Sequence, residues 1–206
     1  MTPDPQESYG DSVTATYDET RGGAERAAAA AVEVAALASA RGRCLDVAGG
    51  TGTVAAELTA LGHDVVVVDR SRSMLALAAQ RLPGRTVLAD AARLPMPPGS
   101  ADLVLTLWLL HLLPDPVASR VVAEVARVLA PGGTWVTSVD KADSHGRGGA
   151  DEPDAEHRVA ERARALGLSP VGTAHFRGRT RWGTAAGGDV ATFRLAAFAP
   201  GEPVGQ

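Results

Sequence analysis

The sequence predicts an α/β fold: a seven-stranded, mostly parallel sheet with helices on both faces and an antiparallel hairpin at its C-terminal end. Three observations predict it. Apolar runs of strand length alternate with helical patterns between residues 44 and 139, as a sheet covered on both faces requires. A glycine-rich turn separates the first run from the helix after it. Two β-rich runs close the sequence with turn residues, not a helix, between them.

Taken in order, the acidic, Pro-rich residues 1–8 read as a disordered lead. Residues 9–40 read as a lid followed by a helix, because 24–40 is rich in Ala, which carries the least helix penalty. A strand at 44–47 passes through the glycine turn to a helix at 54–61, and a strand at 64–68 leads to a helix at 73–82. A short strand at 86–89 and a loop precede a fourth strand at 103–107. Asp115 is placed to cap the following helix, 117–129; Pro116 fits its first position and Pro131-Gly132-Gly133 ends it. A fifth strand covers 134–139, and the polar residues 141–154 read as a mobile loop. A helix at 155–166 stops at Gly167, and strands at 170–177 and 190–198 flank the turn material 183–189. The expected domain is 41–200, with a tail at 201–206.

Composition narrows the function. A chain of 206 residues, 45% hydrophobic and 21% charged, suits one globular domain. A net charge of −4 argues against a nucleic-acid partner, which usually calls for a basic face. The single cysteine, Cys44, cannot form an internal disulfide, and the N-terminus lacks a cationic start followed by an apolar run, so a cytoplasmic location is expected. The longest apolar run, 103–113, is far too short to span a bilayer. Oligomerisation is left open.

The segment Leu45-Asp46-Val47-Ala48-Gly49-Gly50-Thr51-Gly52 ends a predicted strand and opens a helix. Glycines there permit a sharp turn and a close approach by a ligand. Gly50, Gly52 and Ala55 satisfy the G-x-G-x-x-[GA] spacing, and Asp69, ending the second strand, is placed to accept hydrogen bonds from both hydroxyls of a ribose. A nicotinamide cofactor fits the same spacing. Three features favour another adenosine ligand. Asp46, an acid just before the glycines, suits a cationic ligand with an ammonium and a sulfonium. No partner motif for a pyrophosphate follows. Asp90, in Ala89-Asp90-Ala91, adds an acceptor for an adenine amino group at the carboxyl edge of the sheet, although a plain turn former explains it equally well.

These residues resemble the class I S-adenosylmethionine-dependent methyltransferases, particularly the small-molecule group that includes the ubiquinone and menaquinone methyltransferases. The resemblance is carried, in the family's order, by LDVAGGTG (45–52), VVVVDRSRSML (65–75), LADAARLP (88–95), DLVLTLWLLHLLPD (102–115) and RVLAPGG (127–133). It implies a Rossmann-like sheet in which Asp46, Ala48, Gly50 and Gly52 hold the methionine end of the cofactor. Asp69 and its neighbour Arg70 would lie at the ribose, Met74 on the adenine face, Asp90 and Ala91 at the adenine edge, and the Leu107 carbonyl at the ligand ammonium. Ala48 departs from the family, which often has Gly there. Tyr17-Asp18 resembles the family's N-terminal cover segment, in which the Tyr approaches the ligand carboxylate; a surface aromatic on a loose lid is the other reading.

Methyl transfer from a sulfonium is a direct displacement, so alignment and exclusion of water dominate, no metal is expected, and a general base is optional. His111, after the fourth strand, is the candidate base or acceptor contact, with Tyr17 and Asp140 as further catalytic candidates; His111 also reads as a residue that only positions its loop. Trp108 reads as pocket wall and Lys141 as a weaker acceptor contact. Arg177, Arg179 and Arg181 alternate and so share one face of a strand, either clamping an anionic acceptor or forming a solvated edge. The acceptor is expected to be a small molecule, methylated on O or N rather than C, and the Ala-, Arg- and Gly-rich composition suggests tailoring of a secondary metabolite. Two alternatives stand beside this reading: a protein that binds S-adenosylmethionine without transferring methyl, and a nicotinamide-dependent oxidoreductase.

Overall fold

The computed structural model describes residues 11–39, 41–141, 151–180 and 189–201. The expected lead, most of the 141–154 loop, Arg181, most of the 183–189 turn and the tail from 202 lie outside the described residues.

Helices α1 (Asp11–Thr20) and α2 (Gly23–Leu37) precede the sheet. The alternation then runs β1 (Arg43–Val47), α3 (Thr53–Ala60), β2 (Asp64–Asp69), α4 (Arg72–Arg81), β3 (Thr86–Leu88), β4 (Ala101–Thr106), α5 (Asp115–Val128), β5 (Leu129–Val139) and α6 (Glu156–Ala165). The chain closes with β6 (Leu168–Thr180) and β7 (Asp189–Pro200). The strands lie in the order β3-β2-β1-β4-β5-β7-β6. The first five are parallel, and β7 runs antiparallel to both β5 and β6. The strand order reverses between β1 and β4, and a crevice opens outside their carboxyl ends at such a switch point.

Both faces of the sheet are covered, which is why β2 reads as an unbroken run of valines. Val65 and Val67 join the core formed with α2, α3 and α4; Val68, pointing the other way, joins the core formed with α5 and α6. Trp135 is fully buried, and its indole N–H donates to Thr106 Oγ1 at 2.9 Å, so its polar handle is satisfied.

Several expected boundaries move. The residue capping α5 is Pro114; Asp115 lies inside the helix without a capping bond, because its carboxylate pairs with Arg158 and Arg162 of α6. Pro131-Gly132-Gly133 does not end α5, which stops at Val128. These residues form an excursion within β5, where Leu129 faces Ala101 and Thr134 already faces Leu103. The lid segment contains a helix, α1, despite its Thr-rich sequence; Asp18 ties it down by accepting from Thr51 Oγ1 at 2.5 Å and from Arg81 at 2.6 Å. Helix α2 crosses closely over β6 because β6 carries glycines where they meet. A Cβ on Gly172 would stand 2.9 Å from Leu37 Cδ2, and one on Gly178 would stand 2.5 Å from Arg26 Cγ.

Candidate active site

A cavity of about 1090 Å³ opens at the carboxyl ends of β1, β2 and β4. That volume stands at the top of the range of about 300–1,000 Å³ usual for small-molecule sites.

Its floor is the turn after β1. Ala48 (φ 59°), Gly50 (φ 57°) and Gly52 (φ 74°) all adopt the left-handed conformation, which folds the chain back on itself before α3 begins. The Ala48 N–H donates to the Val68 carbonyl at 2.7 Å, pinning the turn to the end of β2. The glycines serve different ends. A Cβ on Gly49 would stand 2.6 Å from the Asp46 carboxyl carbon, and one on Gly52 would stand 3.1 Å from Ala78 Cβ of α4. A Cβ on Gly50 meets no atom within 4 Å, so it would project into the cavity itself.

Two carboxylates line this floor. Asp69, ending β2, accepts from the Gly50 N–H at 2.9 Å through one oxygen and from the Ser71 N–H at 2.8 Å through the other. Burial raises its pKa, against the lowering effect of those backbone N–H groups and of Arg70. Each oxygen keeps a lone pair for a further donor. Asp46 is 3% exposed and has no hydrogen-bond donor among the described residues. Burial, and then the charge of Asp69, push its pKa up to about 7. Such a carboxyl group is neutralised by a proton or by a cation that enters the cavity.

The other walls hold most of the expected cofactor residues. Arg70 and the buried Met74 lie beyond Asp69, and Asp90 and Ala91 follow β3. One Asp90 oxygen accepts from the Ala92 N–H at 2.9 Å, so Asp90 is a turn former that also lines the cavity. Leu107 and Trp108 extend β4 into the wall. Trp108 is left-handed (φ 54°), held by its N–H to Ser138 Oγ at 2.7 Å, and packs edge-on against Phe176 and Phe193. Tyr17 and Asp18 of α1 close the near side.

Other sequence candidates are elsewhere. His111 sits in a short turn, Leu110–Leu112; its neighbours Leu109, Leu112 and Leu113 line the cavity and it does not. Asp140, expected to face the crevice, turns away in a left-handed conformation (φ 51°). It accepts from the Glu156 N–H at 2.9 Å at the start of α6 and pairs with Arg194. Lys141 is also off the cavity wall, with its Nζ 4.3 Å from the centre of the Phe193 ring. Arg177 and Arg179 are exposed on the outward face of β6, Arg179 opposite Glu25 at 3.7 Å, because the inward positions of that strand go to Phe176 and Gly178. Sequence reasoning missed Arg26 and Thr51. Arg26 was detectable as the charged member of the stripe Arg26, Ala30, Val34, all buried in α2. Thr51 gave no signal, since its contact with Asp18 is visible only after folding.

Residues 45–137 match the family described as "Methyltransferase domain". That match covers a little under half of the chain, and over it the chain is similar to methyltransferase domains. S-adenosylmethionine is the cofactor of such domains, and Asp46, without a donor among the described residues, the open approach over Gly50 and the lone pairs of Asp69 fit it. The chain is 41% identical over 97 residues to the demethylmenaquinone methyltransferase of Beutenbergia cavernae, a match that covers 47% of this chain and 40% of that protein. The matched segment thus spans well under half the length of that curated relative. Among solved structures, the CcbJ methyltransferase from Streptomyces caelestis has a TM-score of 0.70 at 20% identity, covering 94% of this chain and 98% of that one. The [4+2]-cyclase SpnF has a TM-score of 0.67 at 20% identity, covering 92% and 93%. At that identity the two structures establish the fold.

Proposed function

We propose that this chain is an S-adenosylmethionine-dependent methyltransferase acting on the oxygen or nitrogen of a small molecule. The observation that carries this reading is Asp46, a buried carboxyl group without a donor, facing a cavity whose floor is the open turn at Gly50. S-adenosylmethionine supplies, when bound, an electrophilic methyl on a sulfonium. The chain's own residues bind and align. Asp46 balances positive charge at the methionine end, Asp69 accepts from ribose hydroxyls, Met74 covers the adenine, and Asp90 accepts from its amino group. Leu107 and Trp108 shape the wall that the acceptor meets. Helix α1, latched by Asp18 to Thr51 and Arg81, keeps Tyr17 over the opening and excludes water, so that orientation supplies most of the rate.

The test is titration calorimetry with S-adenosylhomocysteine and with NAD, followed by an assay for S-adenosylhomocysteine released from S-adenosylmethionine with candidate acceptors. Binding of the former but not of NAD is expected. Binding of NAD alone would refute the reading. The likeness to a protein described as a [4+2]-cyclase supports a second reading, in which the cofactor is bound without methyl transfer. Tight binding with no S-adenosylhomocysteine formed across a broad acceptor panel favours it.

A further inference from the structure

Arg26 is a buried charge that the cofactor reading leaves unused. It is 7% exposed and lines the cavity. Its stem lies between Gly22 and Gly178: a Cβ on Gly178 would stand 2.5 Å from Arg26 Cγ, and one on Gly22 would stand 2.4 Å from the Arg179 carbonyl oxygen and 2.9 Å from Arg26 Cβ, so Gly178 makes room for this side chain. The guanidinium carbon lies 4.3 Å from the centre of the Trp108 ring and 5.1 Å from that of Phe193, within the range of a cation on an aromatic face. Among the described residues it has no hydrogen-bond acceptor and no ion-pair partner. Ring faces attract the charge but accept no directed hydrogen bond, so the five N–H donors of the fork are left to whatever fills the cavity. Burial lowers its pKa to about 10, with Tyr17 raising and Arg21 lowering it, so the group remains protonated at neutral pH.

Its position separates it from the cofactor floor. The glycine turn, Asp69 and Asp90 belong to the β1, β2 and β3 side of the sheet. Trp108 follows β4, and Phe193 stands on β7, on the other side of β4. The Lys141 ammonium adds a second cation over the same Phe193 ring. Leu112, Leu113, Val117 and Val121 supply apolar wall to the cavity.

We propose that Arg26, braced on Trp108 and Phe193, recognises a carboxylate of the methyl acceptor, which makes the acceptor an acidic small molecule with an apolar or aromatic body. The proposal rests on the methyltransferase reading for the word acceptor, but the anion site is testable apart from it. A planar guanidinium takes a carboxylate through two parallel hydrogen bonds, and no carboxylate among the described residues fills that role.

Titration calorimetry with benzoate and with its neutral isostere benzamide decides the matter, on the parent protein saturated with S-adenosylhomocysteine and on Arg26→Gln and Arg26→Lys. Benzoate should bind at least about tenfold more tightly than benzamide to the parent, the contribution of a charge-assisted hydrogen bond. Arg26→Gln should abolish that preference while S-adenosylhomocysteine affinity stays within about twofold. Equal affinities for benzoate and benzamide, or no binding of either, would overturn the proposal. So would a loss of S-adenosylhomocysteine affinity in Arg26→Gln as large as the loss of benzoate affinity, since Arg26 would then serve the cofactor's own carboxylate. If Arg26→Gln does not fold, Arg26→Lys decides: benzoate affinity should drop with benzamide unchanged, and no drop overturns the proposal. Failure of the parent to bind S-adenosylhomocysteine at all would count against the methyltransferase reading alone, and the benzoate and benzamide titrations on the free protein would still judge Arg26.

Discussion

Lowering the pH from 8 to 5 should weaken the binding of S-adenosylhomocysteine about a hundredfold. Asp46 is buried without a donor and faces Asp69, so its carboxyl group holds a proton up to about pH 7. A ligand with an ammonium at that end binds best to the ionised form. At pH 5, two pH units below that value, ionising the group costs about 2.7 kcal/mol, which is two powers of ten in affinity. Affinity therefore climbs with pH and levels off above about 7. Binding near pH 6 should release close to one proton, read calorimetrically as a dependence of the apparent enthalpy on the ionisation heat of the buffer. Asp46 and Asp69 titrate as a pair, so Asp69→Asn should move the midpoint downward by removing a negative neighbour. Asp46→Asn should bind weakly at pH 8 and lose the hundredfold fall between pH 8 and 5. A parent affinity that changes less than about threefold between pH 5 and 8, with no buffer dependence, would refute the reasoning.

Four further outcomes follow from the geometry. Asp69→Ala should weaken S-adenosylhomocysteine binding about ten- to a hundredfold in calorimetry, the contribution of hydrogen bonds to a charged group. Gly50→Val should do worse, because it fills the open approach and puts a β-branched residue at φ 57°. Asp140→Ala should lower unfolding stability by about 1–2 kcal/mol through loss of the α6 N–H contact and the Arg194 pair, with cofactor affinity unchanged; urea unfolding measures it, and unaltered stability with lost turnover would return Asp140 to the site. Asp18→Ala should release α1 and speed S-adenosylhomocysteine dissociation about fivefold, on the scale of a partly exposed ion pair of ~1 kcal/mol, as stopped-flow displacement would show.

Much of this architecture was legible because the physics behind it is local. The valines of β2, the Ala-rich α2 and the turn at Gly50 each state their conformation in the residues themselves, and Asp69 stands at the strand end where a spacing argument puts it. What stayed hidden depends on partners far away in the sequence. Asp115 has the composition of a helix cap, yet the arginines of α6 claim its carboxylate. Asp140 was assigned to the crevice from its position after β5, and a single left-handed residue turned it toward α6. Helix α1 is a poor helix by propensity and exists where Thr51 and Arg81 hold Asp18. Arg26 gives no sign of its role beside the alanines of α2, because the glycine that admits it, Gly178, lies on a strand over a hundred residues later.

Ala48, Trp108 and Asp140 share a trait: each lies within two residues of the end of a central strand, β1, β4 or β5, and each holds a left-handed backbone without being glycine. Such a conformation costs on the order of 1–3 kcal/mol per residue, and the packed sheet beneath has to bear it. In exchange, the unfolded chain has fewer states at these positions than glycine would give it. The mouth of the crevice is thus set at two of these points, Ala48 and Trp108, during folding, not by the ligand. Much of the ordering entropy that a soft rim would surrender to a guest has already been spent, leaving more of each contact to register as affinity.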